Sequence, residues 1–239
     1  MEVELDTELD MHRTFSAKRP LLGLTILLIE DSRFCSEAVR LMCVKSGARL
    51  RRADSLRAAA RHLATYRPSV VLVDLGLPDG SGLEVIRDLA GLKPAAPYII
   101  ATSGDDPVEA KYESMLAGAD GFMPKPLQNL RYFQTELLAL FPERRVNTGT
   151  NVLALPITIR PDPLAKIEDL RFALGLLQDV SGGEDEPTVS YCAQFLGSVA
   201  KAGDDPELAG LAARLSGSGQ GLANVLSALE NRLLDSPVL

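Results

Sequence analysis

VVLVD, residues 70–74, decides the fold: four consecutive apolar side chains without polar alternation, closed by a carboxylate. A strand with one wet face would alternate, so this one is expected to be buried on both faces, in the middle of a parallel sheet. Working outward, LTILLIE (24–30) and PYIIATS (97–103) repeat the short apolar pattern, with shorter segments ARLRRA (48–53) and Gly121–Met123 beside them. Amphipathic stretches fill the intervals. Residues 33–46 have helical spacing, with Ser32 as N-cap and Gly47 as stop, and 55–67 is capped by Asp54 and ends before Pro68. Further helices are expected over 82–92 and 106–117, and a last one has Leu127, Leu130, Phe133, Leu137 and Phe141 near one face and stops at Pro142. Five strand–helix pairs imply an α/β fold, a doubly wound parallel sheet with right-handed crossovers.

Residues 142–163 carry Pro, Gly, Asn and Thr and are expected to link two domains, although VLALPITI (152–159) can form a short strand or pack back. From Leu164 onward the pattern is helical. Leu164, Ile167, Leu170, Leu174 and Leu177 make one apolar stripe; Cys192, Phe195 and Val199 make a second. Leu208, Leu211 and Leu215, then Leu222, Val225, Leu229 and Leu233, make two more, with breaks at SGGEDEP, AGDDP and SGSG. Four short helices must bury those faces against one another, against the first domain or against a second copy. The expected organisation is an extension over 1–21, an α/β domain over 22–141, a linker over 142–163 and a small all-α domain over 164–239.

Composition narrows the function. The chain has 239 residues, 46% hydrophobic and 24% charged, as expected of a globular protein. Its longest apolar run, Leu21–Ile29, is far short of the roughly 20 residues a spanning helix needs. MEVELDTELD carries five acids and no base, unlike a secretory leader, so a cytoplasmic location is expected. Cys35, Cys43 and Cys192 lack metal-ligand spacing and read as small core or surface thiols. Residues 1–145 hold 19 Lys and Arg against 20 Asp and Glu, but residues 146–239 hold 6 against 12. That acidic balance argues against a nucleic-acid partner, whose phosphates are met by a basic face.

In an open parallel sheet, ligands bind beyond the carboxyl ends of the strands. There the sequence places Glu30 and Asp31 after the first strand, Asp74 at the end of the third, Thr102 in the fourth and Lys125 just after the fifth. Crowded carboxylates repel unless a cation neutralises them, and a hard divalent ion such as Mg²⁺ suits oxygen ligands. A carboxylate such as Asp74 can act as nucleophile toward phosphorus, with Lys125 and the Thr102 hydroxyl offsetting charge on the transferred group.

The combination LLIEDS (27–32), VVLVDLGLPDGSGLEVIRDL (70–89), IIATSG (99–104) and AGADGFMPKPL (117–127) resembles the response regulator receiver domain of two-component systems, over about residues 22–141. The resemblance implies a flavodoxin-like five-stranded sheet of order 2-1-3-4-5. It makes Glu30, Asp31 and Asp74, with the backbone carbonyl of Gly76, the Mg²⁺ ligands, and Asp74 the phosphoacceptor. Thr102 becomes the switch hydroxyl, Lys125 the phosphate-binding lysine and Phe122 the aromatic switch residue. A sensor histidine kinase or phosphotransfer protein is the implied donor, and phosphorylation is expected to alter the surface of the fourth helix, fifth strand and fifth helix. Gly76 and Gly104 stand where the family often carries larger side chains that screen the phosphoryl group. From that departure a comparatively short-lived aspartyl phosphate is expected.

Residues 164–239 contain no His, which excludes a histidine phosphotransfer domain, and the two histidines, His12 and His62, read as surface or helix residues. SGSGQG (216–221) lacks the lysine of a phosphate-binding loop and reads as a helix break. The helical part is expected to be a protein-interaction or dimerisation module for an unidentified downstream protein or a second copy. The alternative is a divergent nucleic-acid-binding output in a transcriptional or antitermination regulator. No separate enzymatic output is recognised, so beyond handling its own phosphoryl group the protein is not read as an enzyme.

Overall fold

A computed structural model describes residues 19–92, 94, 96–142, 157–180, 185–218 and 221–234. His12 and most of the expected N-terminal extension lie outside them. The order is β1 (Thr25–Ile29), α1 (Arg33–Ser46), β2 (Arg49–Ala53), α2 (Leu56–Thr65), β3 (Val70–Asp74), a two-stranded ribbon of β4 (Gly76–Leu77) and β5 (Gly80–Ser81), α3 (Gly82–Ala90), β6 (Tyr98–Ser103), α4 (Pro107–Ala117), β7 (Gly121–Pro124) and α5 (Leu130–Ala139). Four helices follow: α6 (Pro163–Val180), α7 (Glu186–Ala202), α8 (Pro206–Ser218) and α9 (Leu222–Leu234).

The main sheet is parallel, in the order β2-β1-β3-β6-β7. This is the flavodoxin-like order, with the ribbon standing apart from the sheet. β3 lies between β1 and β6 and is buried along its whole length, as its apolar run requires. Because side chains alternate across a strand, β1 feeds two cores. Ile26 and Leu28 join Leu21, Met42, Phe133 and Leu137 on the α1/α5 side. Leu27 and Ile29 join Val71, Val73, Ile86 and Phe122 on the other.

Local chemistry differs from the sequence reading at the starts of α2 and α5. The cap of α2 is Ser55, whose hydroxyl accepts from the Ala58 amide, and not Asp54. Asp79, brought over by the turn after β3, accepts from the Leu56 and Arg57 amides at 2.8 and 3.0 Å, so the first-turn donors are satisfied from a distant loop. α5 begins at Leu130 behind its cap Asn129, leaving Leu127 in the preceding loop. Within the expected linker, Thr158 bridges to Asn129, the Leu130 amide donates to the Ile157 carbonyl at 3.1 Å, and Ile159 enters the α1/α5 core. The end of VLALPITI therefore packs back on the first domain; residues 143–156 lie outside the described residues.

The four C-terminal helices bury their stripes against one another around Leu170, Leu177, Leu196, Val199, Leu208, Leu215, Val225 and Leu229. Leu164, expected in the first stripe, is exposed at the start of α6. The three cysteines are free and buried. Among the described residues, no helix is long and apolar enough to cross a membrane.

Asp205, ahead of α8, forms a two-pronged ion pair with Arg232 of α9, at 2.8 Å from Nε and 2.9 Å from Nη2. Those hydrogen bonds, helped by the Leu208 amide and the nearby cations, outweigh desolvation and hold the carboxyl down at about 2. Asp205 should therefore stabilise the bundle fully above its ordinary pKa near 3.8, and that stabilisation should fade as pH falls toward 2. Arg232→Met is expected to lower unfolding free energy by about 1 kcal/mol at neutral pH. Urea denaturation should show the difference shrinking over that acid window.

Candidate functional site

The sheet places the acidic residues before any side chain is considered. Glu30 and Asp31 follow directly on β1, Asp74 ends the adjacent β3, Thr102 pairs with Asp74 in register on β6, and Lys125 follows β7. The Asp74 backbone is pinned by Gly82, where α3 begins. A Cβ at Gly82 would overlap the Asp74 carbonyl oxygen, which is backbone and cannot swing away. Gly82→Ala is thus expected to cost about 2–3 kcal/mol in urea unfolding and to displace Asp74.

Glu30, Asp31 and Asp74 each present a carboxylate oxygen, and these oxygens lie within 4.8 Å of one another. The Lys125 ammonium sits 2.7 Å from both Glu30 Oε2 and Asp74 Oδ2, with all three side chains buried. The Gly76 amide donates to Asp74 Oδ1 at 3.4 Å. Burial raises the Glu30 carboxyl well above its ordinary range, the neighbouring carboxylates adding to it and Lys125 opposing. Asp74 is raised for the same leading reason. Burial, then the charge of Asp74, pushes Asp31 up to about 6. Burial works against the Lys125 ammonium, yet Asp74 and Glu30 hold it well above the usual lysine range. Three carboxylates around one cation leave excess negative charge in a desolvated pocket, and all their donor atoms are hard oxygens. A small divalent cation fits that deficit.

Thr102 is fully buried, and its hydroxyl donates to the Val73 carbonyl at 3.4 Å. Phe122 is buried in the core on the side of the sheet covered by α2, α3 and α4. His62 lies on α2, its Nε2 3.1 Å from the Arg52 carbonyl.

The sequence reading missed what covers the pocket. The Tyr191 hydroxyl of α7 donates to Asp31 Oδ2, the Gln194 side-chain amide donates to Asp105, and the Lys201 ammonium donates to the Gly104 carbonyl. Asp169 of α6 caps the first turn of α1: it accepts from the Arg33 and Phe34 amides at 2.9 and 3.0 Å and from the Ser32 hydroxyl at 2.7 Å. Ser32 accepts in turn from the Cys35 amide, so it is the cap expected from the sequence, here with a second residue behind it. A Cβ at Gly76 would overlap the Gln194 carboxamide, and one at Gly104 would overlap the Ser198 hydroxyl. The two glycines are therefore seats for α7. Gln194 and Ser198 occupy the space that larger residues at 76 and 104 would fill, and bulky substitutions there would strike α7. Tyr191, Gln194, Ser198 and Lys201 follow helical spacing, and that polar stripe was the available signal.

Residues 26–135 match the family model of the response regulator receiver domain. The KDP operon transcriptional regulatory protein KdpE of Escherichia coli is 29% identical over 161 residues, covering 67% of this chain and 65% of that protein. The transcriptional regulatory protein PhoP of Escherichia coli is 26% identical over 133 residues, 56% of this chain and 58% of that protein. The chain thus spans less than two thirds of the length of these relatives. As transcriptional regulators they lend no support to the expectation that nucleic acid is not a partner. Among solved structures, a two-component response regulator from Clostridium difficile aligns with 53% of this chain and all of its own at 17% identity and a TM-score of 0.47. A response regulator from Thermotoga maritima aligns at 23% identity and a TM-score of 0.46, over 51% of this chain and 99% of its own. With the sheet order, the acidic strand ends and the family match in agreement, residues 26–135 are a response regulator receiver domain of the two-component type, followed by a helical region that the match does not reach.

Proposed function

We propose that the chain is a two-component response regulator that accepts a phosphoryl group on Asp74 in a Mg²⁺-dependent reaction and thereby switches its helical region, a protein-interaction or dimerisation module. The observation that carries this reading is the convergence of Glu30, Asp31, Asp74 and Lys125 at the strand ends. The donor is a sensor histidine kinase or phosphotransfer protein, and the location is cytoplasmic.

Glu30, Asp31 and Asp74, with the Gly76 carbonyl, would hold Mg²⁺. Bound there, the ion supplies positive charge against the phosphoryl oxygens. An Asp74 carboxylate oxygen forms a bond to phosphorus while the bond from phosphorus to the donor's leaving atom breaks, and that atom keeps the electron pair. Lys125 is already 2.7 Å from Asp74 and turns its N–H donors onto the incoming oxygens. The Thr102 hydroxyl leaves the Val73 carbonyl to do the same, and Phe122 follows into the space it vacates. The face formed by α4, β7 and α5 then shifts between two populations.

A second reading rests on the relatives named transcriptional regulators: the helical region is a divergent nucleic-acid-binding output. Its acidic balance, 6 basic against 12 acidic residues over 146–239, favours the first reading. Retention on heparin at low salt would reverse that preference.

Beryllofluoride, a phosphoryl mimic, tests the proposal. With Mg²⁺ it should give bound fluorine resonances in the wild type and none in Asp74→Asn. A doubled mass in light scattering assigns a dimerising output; an unchanged mass assigns one acting within the chain or on another protein. No bound mimic in the wild type rejects the reading.

A further inference from the structure

We infer that α7 is a removable cover on the phosphoacceptor pocket, and that the Tyr191 hydroxyl and a divalent cation compete for Asp31, so that cation binding and docking of the helical region oppose each other. The inference rests on the proposed role of the acidic pocket and adds its regulation from within the chain.

Four independent contacts place the cover. Tyr191 donates to Asp31 Oδ2, one of the two oxygens Asp31 can offer a cation, and Gln194 and Lys201 hold the loop after β6 through Asp105 and the Gly104 carbonyl. Asp169, only 2% exposed, clamps α6 onto the turn that carries Glu30 and Asp31. Among the described residues, the buried apolar cluster at this contact is small: Phe34 and Cys35 of α1 against Ala202, with Ala165 beside them. A polar, charge-assisted interface over a thin apolar seam is one that a change in pocket charge can release, unlike the large apolar core that holds α6–α9 together. Glycine at 76 and 104 completes the case, since any side chain there would displace Gln194 or Ser198.

The pocket is still reachable with the cover in place. A cleft of about 790 Å³ between α1, α2 and the start of α6 opens onto Glu30 and Asp31, wide enough for a hydrated cation. A protein donor's phosphoryl group is expected to approach Asp74 from beyond the strand ends, where Gln194 of α7 meets Gly76. Cover and cation are thus linked sites, and linkage is reciprocal: the factor by which docking weakens cation binding is the factor by which the cation weakens docking.

Calorimetric Mg²⁺ titration and amide hydrogen exchange on the full chain test this together. Tyr191→Phe keeps the ring and removes only the donor, and should tighten Mg²⁺ about tenfold, the usual worth of a hydrogen bond to a charged group. Asp169→Ala, which unclamps the helical region, should also tighten it. Saturating Mg²⁺ should speed exchange of the Arg33 and Phe34 amides in the wild type, because Asp169 protects them only when docked. Equal affinities in wild type and Tyr191→Phe, with exchange at Arg33 and Phe34 unchanged by Mg²⁺, would overturn the inference and leave the acidic site standing. No Mg²⁺ heat in either protein overturns the site and its cover together. Should Asp169→Ala fail to fold, the Tyr191→Phe comparison decides alone.

Discussion

Replacing Asp74 with Asn is expected to cut phosphoryl incorporation from acetyl phosphate at least roughly a thousandfold, as removal of a nucleophile does. The substitution changes little else. Asn keeps the shape of the side chain and its place at the end of β3, next to Thr102 in register. Glu30 stays 2.7 Å from the Lys125 ammonium, so the buried cation keeps a partner. Far-ultraviolet circular dichroism should match the wild type, which separates loss of the nucleophile from loss of the fold. Incorporation that persists in Asp74→Asn would place the phosphoryl group elsewhere.

Lys125→Met should have the largest effect on stability. Among the described residues, Lys125 is the one cation paired with two buried carboxylates, Glu30 and Asp74, and removing it leaves both desolvated and facing each other. A buried pair stripped of one partner typically loses about 3–5 kcal/mol, and this variant should fall in that range in urea unfolding. Saturating Mg²⁺ should recover part of the loss, because a cation in the acidic cluster replaces the missing charge. Adding Glu30→Gln should recover part of it without metal, since the two changes act on one network and cannot be additive. A loss below about 1 kcal/mol would mean that the carboxylates are far better solvated than their burial implies.

Much of this site was legible because receiver chemistry sits at strand ends and strand ends can be read. The unbroken apolar run of VVLVD placed β3 in the centre of the sheet, and with it Asp74 at the carboxyl edge. Glu30, Asp31, Thr102 and Lys125 then fell into place by counting one strand outward at a time. Contacts between segments far apart in sequence were less legible. Ser55 and Asp54 are equally good caps on paper; the turn after β3, carrying Asp79, is part of what holds the first turn of α2. Asp169 is by sequence one more acid on an amphipathic helix, and only the packing of α6 on α1 makes it a buried cap for another element. Gly76 and Gly104 carried a visible departure whose meaning lay in Gln194 and Ser198 of α7, far along the chain. A missing side chain records that something approaches closely, but not what approaches.

The most direct test of the central claim is to locate the phosphoryl group. The wild-type protein is incubated with acetyl phosphate and either Mg²⁺ or a chelator, the acyl phosphate is trapped by borohydride reduction, and peptides are sequenced by mass spectrometry. Reduction is expected at Asp74 alone, present with Mg²⁺ and lost with the chelator. Reduction at Glu30, Asp31 or any other carboxylate, or at Asp74 without regard to the metal, would contradict it.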